Sequence, residues 1–150
     1  MLKGLTTSGA GAVLLAGAGA LALAATPAAG QASFKAIGAS LFGENEVGHD
    51  GAGENAGGDF EGMIDHEAGT LCYYLEVRGL GNVTAAHLHK GGTASNGPPV
   101  VTLQLASDDE VCVDVEADLL RDIARNSRNY YVNVHTEAFP QGAVRGQLGS

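Results

Sequence analysis

The sequence predicts an all-β domain, a Greek-key β-sandwich or barrel with one short helix. Three observations predict it. Seven or eight short segments dense in β-branched and aromatic residues recur after residue 32. Gly, Asn and Pro turn signals separate them at intervals of about ten residues. One segment alone carries apolar residues at helical spacing, so the α-crossovers that a parallel sheet requires are missing.

The elements follow in order. "SFKAIGASLFG" alternates as a half-buried strand. "ENEVGHDGAGENAGGD" is rich in Gly, Asn and acids and reads as a long loop or frayed edge. "FEGMIDHEAG" is a short strand that ends in a turn, and "TLCYYLEVRGLG" a strand that stops at Gly79 and Gly81. "NVTAAHLHKG" is the next strand, and "PVVTLQLA" alternates again after Pro98 and Pro99. An acidic turn at 107–110 leads into "EVCVDVE". "EADLLRDIARNS" is the helix: Leu119, Leu120 and Ile123 share a face, acids precede it, and Arg125 lies near its end as the helix dipole favours. "NYYVNVHTE" and "GAVRGQL" are the last strands, joined by the turn "AFPQG".

Residues 1–32 read as a secretory signal. Lys3 and the amino terminus make a short positive region, and Gly11 to Ala25 is an uncharged run too short and Gly-rich for a comfortable membrane span. "TPAAGQAS" offers small residues to a peptidase, with cleavage after Gly30 or after Ala32. The alternative is an uncleaved N-terminal anchor. Cleavage leaves residues 33–150, enough for one domain with its own core. The expected location is secreted, periplasmic or otherwise extracytoplasmic, without stable membrane insertion after cleavage.

Without Lys3, seven basic residues face seventeen acidic ones. Such a surface repels nucleic acid and anionic lipid and would attract cations and basic partners, but it reads first as a solvated acidic surface that keeps an exported protein soluble. Cys72 and Cys112 each sit in an apolar run. An exported chain with an even cysteine count usually oxidises them, so a disulfide between two strands is expected.

The histidines carry the functional question. In a strand, residues i and i+2 share a face, so His87 and His89 point one way, together with Val83 and Ala85, while Ala86 and Leu88 point into the core. Two such imidazoles can ligate one metal ion. His135 shares a face with Tyr131 and Asn133 and becomes the third ligand if its strand neighbours "AHLH". The alternative is that the pair hydrogen-bonds and pins "GGTASNGPP". His49 and His66 lie in acidic, Gly-rich surroundings and read as solvated loop residues. The pairs Tyr73–Tyr74 and Tyr130–Tyr131 each place one ring inward and one outward, a core-plus-rim arrangement. Asn96-Gly97-Pro98 is first a turn and second a binding loop beside His89. No nucleophile elbow and no phosphate-cradling loop is present in the sequence.

The set "LCYYLEVRGLGNVTAAHLHKG…NGPPVVTL", then a cysteine, then "LLRDIARNSRNYYVNVHTEAFPQGAVRGQL", resembles the CHRD domain, repeated in the animal protein chordin and found singly in exported microbial proteins. The resemblance runs from about Phe34 to Leu148. The family usually carries "EVPP" near its start, where this chain has Glu46-Val47-Gly48-His49. The resemblance implies an all-β immunoglobulin-like or barrel domain and, for microbial members, no settled biochemical activity. In chordin the domains belong to a protein that sequesters a growth factor, a role that a shared fold does not transfer. A fainter resemblance is to copper/zinc superoxide dismutase, where a strand His-x-His binds copper. It implies His87, His89 and His135 as copper ligands and Arg145 as the cation that guides the anion. The further histidines and aspartate of that family's zinc loop are missing from "KGGTASNGPPVVTL". Arg145 faces the histidines only in one register of the last hairpin.

The sequence thus points to an exported, non-catalytic binding module, with His87, His89 and His135 as a candidate site for copper or zinc. Its partner would be a protein or a small ligand. The alternatives are a copper-dependent dismutase-like enzyme and a structural surface or matrix protein.

Overall fold

The computed structural model describes residues 34–105 and 109–150. The signal segment at 1–32 and part of the 107–110 turn lie outside the described residues.

Eight strands form one antiparallel sheet: β1 (Phe34–Phe42), β2 (Gly57–Asp65), β3 (Thr70–Arg78), β4 (Val83–Lys90), β5 (Pro99–Leu103), β6 (Val111–Asp114), β7 (Tyr130–Thr136) and β8 (Val144–Gln147). The order across the sheet is β5-β4-β7-β8-β1-β2-β3-β6. The sheet curls until its ends approach. The Tyr73 hydroxyl on β3 donates to the Gln104 carbonyl, just past β5, at 3.2 Å and accepts the Gln104 N–H at 2.6 Å. The result is a nearly closed barrel with Greek-key connections.

The strands are those the alternation predicts. In β1, Ile37 and Leu41 point inward while Phe34 and Phe42 are exposed. In β4 and β7 the inward set is Ala86, Leu88, Tyr130, Val132 and Val134, all at 0 % exposure. Helix α1 (Ala117–Arg125) buries Leu120 and Ile123 in the same core and packs near β1, β2 and β3.

One expectation needs correction, and of the two alternatives for "ENEVGHDGAGENAGGD" the structure shows the long loop up to residue 56. Strand β2 begins at Gly57, not at Phe60: Gly57 and Gly58 have little β-propensity, but partners on both sides, Phe42 and Leu41 on β1 and Arg78 and Val77 on β3, impose pairing on them. The 43–56 segment is no frayed edge. It opens with a 3-10 turn at Gly43–Asn45, then ties to the β7–β8 hairpin through Ala52 N–H to the Ala143 carbonyl (2.9 Å) and Asn45 Nδ2 to the Arg145 carbonyl (3.1 Å).

Cys72 and Cys112 stand directly opposite on β3 and β6 and form a disulfide. It fastens the short edge strand β6, which makes four residue pairs with β3. Replacing both cysteines by serine should lower stability by about 3–4 kcal/mol from loop entropy, measured by guanidinium unfolding of the oxidised wild type against the double variant.

Candidate metal centre

The site is built by register. On the paired strands β4 and β7, Ala85 faces His135, His87 faces Asn133 and His89 faces Tyr131. Residues that pair across a sheet share a face, so all three imidazoles emerge on the outer side, opposite the core set. Ring centroids are 5.6 Å apart for His87–His89, 5.2 Å for His87–His135 and 6.1 Å for His89–His135. One nitrogen of each ring lies within 4.8 Å of one from each of the others.

Two rings are held from behind. His89 Nδ1 is 2.8 Å from the Gly97 carbonyl and His135 Nδ1 is 3.2 Å from the Pro140 carbonyl. A carbonyl only accepts, so each Nδ1 carries the proton and each neutral ring presents the lone pair of Nε2. Those two Nε2 atoms, with His87 Nδ1, are buried and have no hydrogen-bond partner. Burial holds the pKa of His89 and of His135 below the ordinary imidazole value; the carbonyl contacts oppose this and the neighbouring imidazoles reinforce it. Three buried ring nitrogens therefore lie together with no hydrogen-bond partner among the described residues: the Nε2 atoms of His89 and His135 are acceptors, and His87 Nδ1 is a third when its ring carries the proton on Nε2. A water molecule can donate to two of them; a cation can satisfy all three. An ion bound at the usual ~2.0–2.1 Å metal–nitrogen distance needs its ligand nitrogens within about 4 Å of one another, inside the 4.8 Å limit that the three rings meet. The donor set fits a transition metal.

The surrounding loop supports the rings. Gly97 occupies a position where a Cβ would fall 1.6 Å from the Lys90 carbonyl oxygen, so no other residue fits there without moving the turn. Its N–H donates to the Tyr131 hydroxyl at 3.1 Å, and the Tyr131 ring stacks on His89 with centroids 4.9 Å apart and planes 13° from parallel. Tyr131 thus faces outward as expected but is no rim residue: the loop covers it to 1 % exposure, whereas Tyr74 on β3 is 48 % exposed. Pinning of the loop by His89, one of the two alternatives for the histidine pair, is therefore real and coexists with the convergence of the rings.

Arg145 pairs with Asn133 across β7 and β8, so it lies on the histidine side of the sheet. It is nonetheless 1 % exposed, with its guanidinium turned into the loop. A surface cation that guides an anion is not what the structure provides. His49 is outside the cluster, its Nδ1 accepting the Gly51 N–H at 3.1 Å, and His66 lies in the β2–β3 turn. Cys72 and Cys112 also lie beside Glu110, but their sulfurs are committed to the disulfide.

Sequence reasoning missed Glu46. It is 8 % exposed and accepts from Asn133 Nδ2 at 3.2 Å, while its Oε1 and Asn133 Oδ1 are buried without partners. Asn133 is the cross-strand neighbour of His87, so a carboxylate sits next to the cluster's flank. Gly48 beside it adopts φ 92°, a conformation closed to proline, so this loop departs from the "EVPP" pattern in backbone as well as in sequence. The one signal for Glu46 was a carboxylate two residues before a glycine in an acidic loop, which marks nothing.

A model of the CHRD domain matches residues 37–148. No curated protein and no solved structure matches the chain significantly.

Desolvation raises the pKa of Glu46, opposed by the Asn133 hydrogen bond and by the charges of His49 and Arg145. The folded state therefore binds the Glu46 proton more tightly than the unfolded chain does, and stability falls as pH rises from about 4.5 through the raised value. Glu46→Gln removes that penalty and lets Nε2 donate to Asn133 Oδ1. The metal-free variant should be more stable than wild type by about 1 kcal/mol at pH 7, with the difference shrinking toward pH 4, as measured by thermal melts across that range.

Proposed function

The chain belongs to the CHRD domain family, and on that premise we propose that it is an exported binding module whose His87, His89 and His135 hold one transition-metal ion. The observation that carries this reading is the convergence of three buried imidazole nitrogens, from two strands, that have no hydrogen-bond partner among the described residues. Neutral imidazoles select divalent late transition metals, and the affinity order places copper ahead of zinc. When bound, the ion supplies Lewis acidity or, for copper, a redox couple. The protein's own residues hold two Nδ1 protons on backbone carbonyls and exclude solvent from the donor atoms. Export is supported by the signal-like residues 1–32 and by the disulfide. The family itself, one of binding modules, supports a role in capture rather than turnover. Among the described residues no helix is long and apolar enough to cross a membrane.

A second reading, a dismutase-like redox enzyme, is favoured by the strand His-x-His with Arg145 on the same side of the sheet. It is weakened by the burial of Arg145, which keeps that cation from an exposed position where it could steer superoxide.

Purified protein without residues 1–32, loaded separately with copper and zinc and then dialysed, should retain close to one copper per chain. His87→Ala, His89→Ala and His135→Ala should each abolish stoichiometric retention while the fold survives. Superoxide removal by the loaded protein should not exceed that of free copper. Retention unchanged in all three variants would refute the site, and steered, near diffusion-limited superoxide removal would establish the enzyme instead.

A further inference from the structure

Resting on the metal-site reading, we propose that Arg145 is a positioning residue for the histidine cluster, holding the 91–98 loop so that the Gly97 carbonyl fixes the tautomer of His89. The chain of contacts is continuous. Arg145 Nη2 donates to the Gly92 carbonyl at 2.8 Å and to the Ser95 carbonyl at 3.0 Å, and Nη1 donates to Asn96 Oδ1 at 3.1 Å. The loop so gathered reaches Gly97, whose carbonyl takes the His89 Nδ1 proton at 2.8 Å. A second route runs through the rings. The guanidinium lies 3.5 Å from the Tyr131 ring centroid, and Tyr131 in turn stacks on His89 and receives the Gly97 N–H. Both routes end on the same imidazole.

The geometry requires arginine. A planar guanidinium can lie flat on an aromatic ring while its edge donors reach several carbonyls, whereas a lysine ammonium is a point charge that cannot do both. The residue is 1 % exposed, so its donors are spent inside the protein. Position 145 therefore retains a cation for its shape. Loss of that shape frees the loop, and a free Gly97 carbonyl no longer decides which nitrogen of His89 is protonated.

The test uses Arg145→Lys, with Asn96→Ala as a milder variant at an exposed loop position that should fold even if the first does not. Arg121→Lys on α1 is the control, since Arg121 pairs only with Asp118 among the ion pairs of the described residues. Long-range 1H–15N spectra of the metal-free protein report the His89 tautomer directly. Wild type and Arg121→Lys should show the proton on Nδ1. Arg145→Lys should show a mixture of both tautomers, and Asn96→Ala a smaller shift in the same direction. Copper affinity should fall about 10–100-fold in Arg145→Lys. An unchanged His89 tautomer in every variant that folds overturns the proposal, and so does unchanged copper affinity in Arg145→Lys when the wild type binds copper. The spectra need no metal, so a wild type that fails to bind copper would refute the metal site and still leave the role of Arg145 decided.

Discussion

The pairing register between β4 and β7 is the constraint on which everything at the site depends. It sets Ala85 against His135 and His87 against Asn133, so a histidine at the sixth of the seven residues of β7 meets a His-x-His pair nearly fifty residues earlier. A slip of one residue would turn His135 into the core and Val134 outward. That slip is blocked by the core itself: Tyr130, Val132 and Val134 are fully buried on one face of β7, matched by Ala86 and Leu88 on β4. The hydrophobic effect thus fixes the position of polar groups that it does not touch.

Convergence alone does not make a ligand set; the rings must also present lone pairs. For His89 and His135 the backbone does that work, through one carbonyl in the 91–98 loop and one in the β7–β8 hairpin. The loop is secured by a buried arginine, an aromatic stack and a glycine that allows it to approach β4. The buried charges near the cluster form an opposed pair, Glu46 and Arg145, and neither faces open solvent.

Much of this was legible in the sequence, because period-two alternation is a local signal. The strands, the helix with its Leu119, Leu120 and Ile123 face and the shared face of His87 and His89 could be read from spacing, and the disulfide from an even cysteine count in an exported chain. What was not legible depends on contacts between distant segments. The first residues of β2 are glycines that extend only because β1 and β3 flank them. Tyr131 is outward by parity, but its burial comes from a loop about 35 residues upstream, as the Gly97–Tyr131 bond shows. Arg145 and Glu46 look like surface charges in any window of sequence, and only the folded loops enclose them. The resemblance to superoxide dismutase drew attention to Arg145 on the face where the structure has it, but not to its burial, because residue type and strand face do not specify where a long side chain ends.

The most direct test of the central claim is to count the nitrogens around bound copper. Pulsed electron paramagnetic resonance of the Cu(II)-loaded protein, with selectively 15N-labelled histidine, should report three coordinated imidazoles. One or two, or a spectrum dominated by backbone amide or amino-terminal nitrogen, would mean that β4 and β7 bring the rings together without binding metal between them.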